Sequence, residues 1–184
     1  MNKESGFEVA TLAGGCFWCL EAAFNVIKGI VKVDEGYTGG DLPNPTYEEV
    51  TTGRTGHAEA AQVTFDPAVI SYREILEIFF SVHDPTSVDR QGADVGSQYR
   101  SAIFYHTPAQ RATAEKLIGE LNAEGIFEKP IVTSVEPLKI FYKAEVFHRD
   151  YYKKHPKEPY CQVVIAPKIA KLRQRFFDKL KVPQ

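Results

Sequence analysis

A glycine pair set between two patterns of different period constrains this chain most tightly. Val9 to Ala13 is an apolar run of strand length, and Leu20, Ala23, Phe24 and Ile27 then recur at helical spacing. Between them stands Gly14-Gly15-Cys16-Phe17-Trp18-Cys19, so the chain must turn sharply from strand into helix at Cys16. A thiol there lies in the first turn of a helix, where unpaired N–H groups and the positive dipole end favour thiolate. Phe17 and the only Trp of the chain place an apolar surface beside it. Cys19, one turn further on, offers a second sulfur on the same face. The pattern points to sulfur redox chemistry.

The chain has 184 residues, enough for one core, and a single catalytic domain is expected over 1–184, with 1–6 and about 166–184 as terminal extensions. Hydrophobic residues at 43% and charged residues at 25% are ordinary globular values, which argues against disorder. No run approaches the roughly 18 apolar residues of a membrane span, so no membrane association is expected. No apolar signal region precedes Phe7, and a cytoplasmic protein is expected. In that compartment three cysteines read as free or reactive thiols. Lys and Arg lead Asp and Glu by 16 to 10 in residues 93–184 after trailing 6 to 14 in residues 1–92. The excess collects after His148, among Ile169, Leu172, Phe176 and Leu180 at helical spacing. One face of a terminal helix therefore packs while the charges stay solvated, and no nucleic-acid partner is expected.

Strand-like runs at Phe7–Ala13, Ile30–Tyr37, Ala58–Phe65 and Tyr99–Tyr105 alternate with helical patterns ended by Gly29, opened by the capping box Ser71-x-x-Glu74, and opened by Thr107-Pro108. The order is βαββαβ, a split βαβ. The expected fold is α+β, a two-layer sandwich with a ferredoxin-like core and helices on one face of a mixed sheet. A further helix, a strand around Val132–Tyr142 and a C-terminal helical extension complete it. Two long polar stretches, Thr38–Gly56 and Asp84–Gln98, read as functional loops able to gather near the Cys16 turn.

Gly14 to Cys19, with Glu21, resembles the signature of the A-type peptide methionine sulfoxide reductases. Gly36-Tyr37-Thr38-Gly39-Gly40, Asn44-Pro45-Thr46-Tyr47, Thr55 to Ala60, His83-Asp84-Pro85-Thr86, the run from Arg90 to Ser101, His148 to Tyr152, and Tyr160-Cys161 resemble the family's successive blocks in order. The resemblance covers roughly residues 7–165. It implies Cys16 as nucleophile, Glu59 as general acid, Tyr47 and Tyr99 as phenolic donors to the sulfoxide oxygen, and Asp94 as an organiser of the site. Phe17 and Trp18 would cradle the substrate methyl group. It implies reduction of protein-bound and free methionine (S)-sulfoxide through a Cys16 sulfenic acid and an internal disulfide, with thioredoxin as reductant and no cofactor or metal. Cys161 corresponds to the recycling position, in a segment expected to be flexible, and is favoured as first resolving thiol; Cys19 is the alternative or a relay. A monomer is expected.

Bland readings stand beside these. Glu59 or Asp94 alone would be a surface carboxylate, and Tyr47 or Tyr99 a packing residue. His57 is expected to be structural, and Arg100 either orients a carboxylate or begins a strand. Cys16-x-x-Cys19 after a strand also fits a thiol–disulfide oxidoreductase, although that leaves Glu59, Tyr47 and Tyr99 idle. A zinc site would have only one close cysteine pair.

Overall fold

The computed structural model describes residues 6–182, so the first five positions of the expected N-terminal extension and the last two residues lie outside it. Strand β1 (Glu8–Gly14) leads through Gly15 into helix α1 (Phe17–Asn25), and β2 (Ile30–Thr38) follows. Gly15 has φ +92, and a Cβ there would meet Gln91 Cγ at 2.6 Å, so the turn accepts only glycine on two counts. A five-residue helix α2 (Tyr47–Thr51) precedes β3 (Ala58–Phe65) and α3 (Tyr72–Val82). The short pair β4 (Arg90–Gln91) and β5 (Asp94–Val95) is followed by β6 (Ser101–Tyr105) and α4 (Pro108–Ala123). Strands β7 (Ser134–Pro137) and β8 (Phe141–Lys143) and helices α5 (Tyr151–Lys154) and α6 (Ala166–Arg175) complete the chain.

Six strands form one sheet in the order β7-β6-β1-β3-β2-β8. Its central four are mutually antiparallel, the arrangement a split βαβ requires. β7 adds parallel to β6 and makes the sheet mixed, while β8 adds antiparallel to β2 at the opposite edge. The single strand expected around Val132–Tyr142 is therefore two strands on opposite edges. Pro137, which cannot donate to a ladder, closes the first of them.

Helices cover one face. Ala10 and Leu12 of β1, Val63 and Phe65 of β3, and Ile75, Leu76 and Phe79 of α3 share one buried cluster with Phe17, Leu20 and Phe24 of α1. The opposite face carries a small cluster of Ala13, Ala58, Ala60, Ala102 and Phe104. Alternation along β3 puts Ala58 and Ala60 there and turns Glu59 toward the helices. The capping boxes at Ser71/Glu74 and Thr46/Glu49 are both complete. Thus the first long loop holds a helix, and the second holds the β4–β5 pair. Ser97 Oγ donates to Gly53 O at 3.2 Å and Gln98 Nε2 to Thr51 O at 3.2 Å, so the two loops meet.

Ile169 and Leu172 of α6 are buried against the same core while Lys168, Lys171, Arg173 and Arg175 surround them. No helix among the described residues is long and apolar enough to cross a membrane.

Candidate active site

Cys16 caps α1 with extended backbone (φ −63, ψ 128) and is only 8% exposed. The Trp18 N–H reaches its sulfur, as a helix start should allow, but that contact loses to others. Burial, then the Cys19 thiol and the Glu59 carboxyl, hold the Cys16 thiol well above its ordinary value. The expected thiolate is thus not the resting state of the closed site. Desolvation outweighs one N–H and a short helix. Cys19 moves the other way: the hydrogen bond from Cys16 lowers it, against burial, with help from Lys168 and Tyr160. The two sulfurs are in contact, and Cys19 is the more acidic.

Glu59 stands at the start of β3, 1% exposed. Its Oε1 accepts the Phe17 N–H at 3.2 Å, one residue past the thiol. Burial pushes its carboxyl up to about 8, against that hydrogen bond and with the charges of Asp94 and Cys19 acting in the same direction as burial. It therefore carries a proton at neutral pH. Tyr47 opens α2, and burial together with Glu59 pushes its phenol up to about 12. Tyr99 ends a 3-10 turn (Ser97–Tyr99) instead of joining the strand, and burial and Glu59 push it up too. Cys16 contributes to both tyrosines electrostatically. The structure thus brings Cys16, Cys19, Glu59, Tyr47 and Tyr99 together, as the motifs imply.

Residues 144–165 form a strap over this cluster. Trp18 stacks on Tyr151 at 3.6 Å with rings 4° apart, and its Nε1 donates to His148 Nδ1 at 3.1 Å. His148 is fully buried, its ring 4.9 Å from Phe17 and 4.5 Å from Tyr47, and its Nε2 has no hydrogen-bond partner. Phe17 also lies 6.4 Å from Tyr47, close to parallel. Tyr160 Oη donates to Asp94 Oδ2 at 2.7 Å, which places Asp94 as a tie between the second loop and the strap. Cys161 is fully buried at the start of a π-helical turn (Cys161–Ile165) running directly into α6. The segment expected to be flexible and irregular is exposed from Lys153 to Pro159 and becomes regular at this turn, where Cys161 and Ile165 are buried. All three cysteines are free thiols.

Two residues take the bland reading. His57 accepts from Gly40 N–H at 3.1 Å through Nδ1 and contacts Leu42 O at 2.7 Å through Nε2, so it braces its loop. Arg100 donates to Ser97 O and Gly56 O, two backbone carbonyls. Sequence reading missed His148, Tyr151 and Glu145 as site residues. His148 and Tyr151 stood in a block matched to the family without a role of their own, and Glu145 lay outside every quoted block.

A family model described as peptide methionine sulfoxide reductase matches residues 8–180, nearly the whole chain. The chain belongs to the peptide methionine sulfoxide reductase A family. It is therefore a reductase of methionine sulfoxide, an oxidoreductase. The Saccharolobus solfataricus peptide methionine sulfoxide reductase MsrA is 55% identical over 175 residues, covering 95% of this chain and 98% of that one. A Thermus thermophilus protein of the same name is 56% identical over 174 residues, again covering 95% and 98%. Among solved structures, reduced Mxr1 from Saccharomyces cerevisiae superposes with a TM-score of 0.79 at 36% identity, covering 88% of this chain and 92% of that one. Mxr1 has also been solved in complex with Trx2, with a TM-score of 0.57 at 28% identity and coverage of 82% and 88%.

Proposed function

We propose that the reductase acts on protein-bound and free methionine (S)-sulfoxide, with Cys16 attacking sulfur while Glu59 protonates the departing oxygen. The observation that carries this reading is the buried Glu59 carboxyl, held in its acid form beside the thiol. A general acid needs a value near working pH and reach to the reacting atom. Tyr47 and Tyr99 supply phenolic donors that burial keeps protonated. Phe17 and Trp18 form the apolar cradle for the methyl group, and the unpaired His148 Nε2 would be satisfied by a polar atom of the substrate. The proton that Cys16 loses in the attack balances the one that Glu59 delivers to the oxygen. The departed oxygen, as water or hydroxide, then adds to the Cys16 sulfur and breaks its bond to the substrate sulfur, releasing methionine and leaving Cys16 sulfenic acid; condensation with a second thiol gives a disulfide and water.

For that second step the contact between Cys16 and Cys19 supports Cys19 as first partner. Cys161, buried within the electrostatic influence of Cys19, would then be second, the reverse of the order favoured from the motifs. The Mxr1–Trx2 complex supports thioredoxin as the dithiol that resets the enzyme. A monomer working in the cytoplasm remains part of this reading.

Resolved sulfoxide epimers test the substrate assignment: turnover of the S epimer is expected, and activity on R alone overturns it. Cys16→Ser should abolish reduction, because a hydroxyl is a far weaker nucleophile. Non-reducing peptide mapping after one substrate equivalent should find Cys16 joined to Cys19 first. A Cys16–Cys161 bond formed in a Cys19→Ser variant at the parent rate would restore the other order.

A further inference from the structure

Glu145 lies two residues past β8, at the second position of the strap. Its carboxylate accepts two hydrogen bonds: from Tyr37 Oη on β2 at 3.0 Å, and from the backbone N–H of Tyr47 at 3.1 Å. The second bond joins groups 98 residues apart. At the start of α2 the capping box already provides for Glu49 N–H and Thr46 N–H. The Tyr47 N–H is left over, and Glu145 takes it.

This bond fixes the backbone from which the Tyr47 side chain projects. The ring itself is confined, with Phe17 at 6.4 Å, His148 at 4.5 Å and Phe147 at 6.5 Å around it. A ring so hemmed in has little freedom to compensate for movement of its backbone. The reach of the hydroxyl toward Cys16 and Glu59 is therefore set where the N–H is held. We infer that Glu145 is a positioning residue for the reaction, holding Tyr47 by its backbone so that the phenol meets the sulfoxide oxygen. The inference rests on the proposed role of Tyr47 as donor. The same bond means that the sulfoxide cradle is complete only while the strap is docked.

A double-mutant cycle tests it, using pre-reduced enzyme, one equivalent of free methionine (S)-sulfoxide, no external reductant, and methionine formation as readout. Tyr47→Phe should slow single turnover by about 10–100-fold, the loss of one hydrogen bond made to developing charge. An unchanged rate in that variant alone overturns the donor role, and the inference with it, before Glu145 is touched. With Tyr47 present, Glu145→Ala should slow the same step by a comparable factor, through the maximal rate more than through substrate affinity. In the Tyr47→Phe background it should add no more than about 2-fold, since coupled residues are not additive. Equal losses in the two backgrounds would make Glu145 a strap anchor that does not act through Tyr47, and would overturn the inference. Glu145→Gln keeps an acceptor oxygen and should restore the rate to within about 5-fold of the parent; a Gln variant as slow as Ala also overturns it. Should the Ala variant not fold, Glu145→Asp replaces it in the cycle, with the carboxylate withdrawn by one methylene and the same two outcomes read.

Discussion

Glu59 owes its acidity to position more than to partners. One N–H from Phe17 pulls its value down, and burial pulls it further up. If it is the proton donor, the rate of the first step should be level at neutral pH and fall above about 8, as the acid form is lost. Glu59→Gln should remove that limb and lower the rate by roughly 10²–10⁴-fold; stopped-flow turnover across pH 6 to 10 checks both. A limb that survives in the Gln variant belongs to another group.

Glu21 and Glu35 are the other buried carboxyls, 3% and 7% exposed, in hydrogen-bond contact between α1 and β2. Glu35 Oε1 is buried without a hydrogen-bond partner. Burial and then the Glu21 charge push Glu35 up to about 9; burial and then Asp150 push Glu21 up to about 7. The contact is sound only if a proton lies in it. Both groups bind protons more tightly folded than unfolded, so their contribution to stability is complete below about 4.5 and is lost as pH rises toward 9. Glu35→Gln should narrow the difference in Tm between pH 6 and pH 9, measured by thermal unfolding. A difference as wide as the parent's would show that the carboxyl pair does not control it.

The elements were legible wherever local chemistry decided them. Ser71-x-x-Glu74 announced α3, and Thr107-Pro108 announced α4, and both caps are present. Ser71→Ala should lower stability by about 1 kcal/mol and leave turnover unchanged, since the cap lies outside the cysteine site; denaturant unfolding beside an activity assay checks it. Thr46-Tyr47-Glu48-Glu49 carries the same box and was readable, yet Gly and Pro on both sides made the stretch look like loop. β7 and β8 were readable only as one strand, not as two on opposite edges. Each is four residues or fewer, and an edge strand of that length is recruited by its neighbour, with no periodicity of its own. Glu145 and His148 were illegible for a related reason: their partners, Tyr47 and Trp18, lie about a hundred residues or more away.

The split βαβ at the centre followed from element order because connection rules leave few alternatives. The two edges and the strap did not, since they depend on where a late segment lands. That landing has a consequence during synthesis. The Cys16 turn leaves the ribosome more than a hundred residues before Phe141 and the strap that buries it. At roughly 5–20 residues per second, the interval lasts about ten seconds. Throughout it Cys16 and Cys19 belong to an unfinished chain, without Tyr160, His148 or Lys168 around them. They are then ordinary accessible thiols, open to any oxidant or disulfide in reach. A chain stalled before residue 141 should accordingly take up a small thiol-alkylating reagent quickly, and the released protein only slowly. The enzyme's own reactive sulfurs are thus most open to oxidants before the chain is complete.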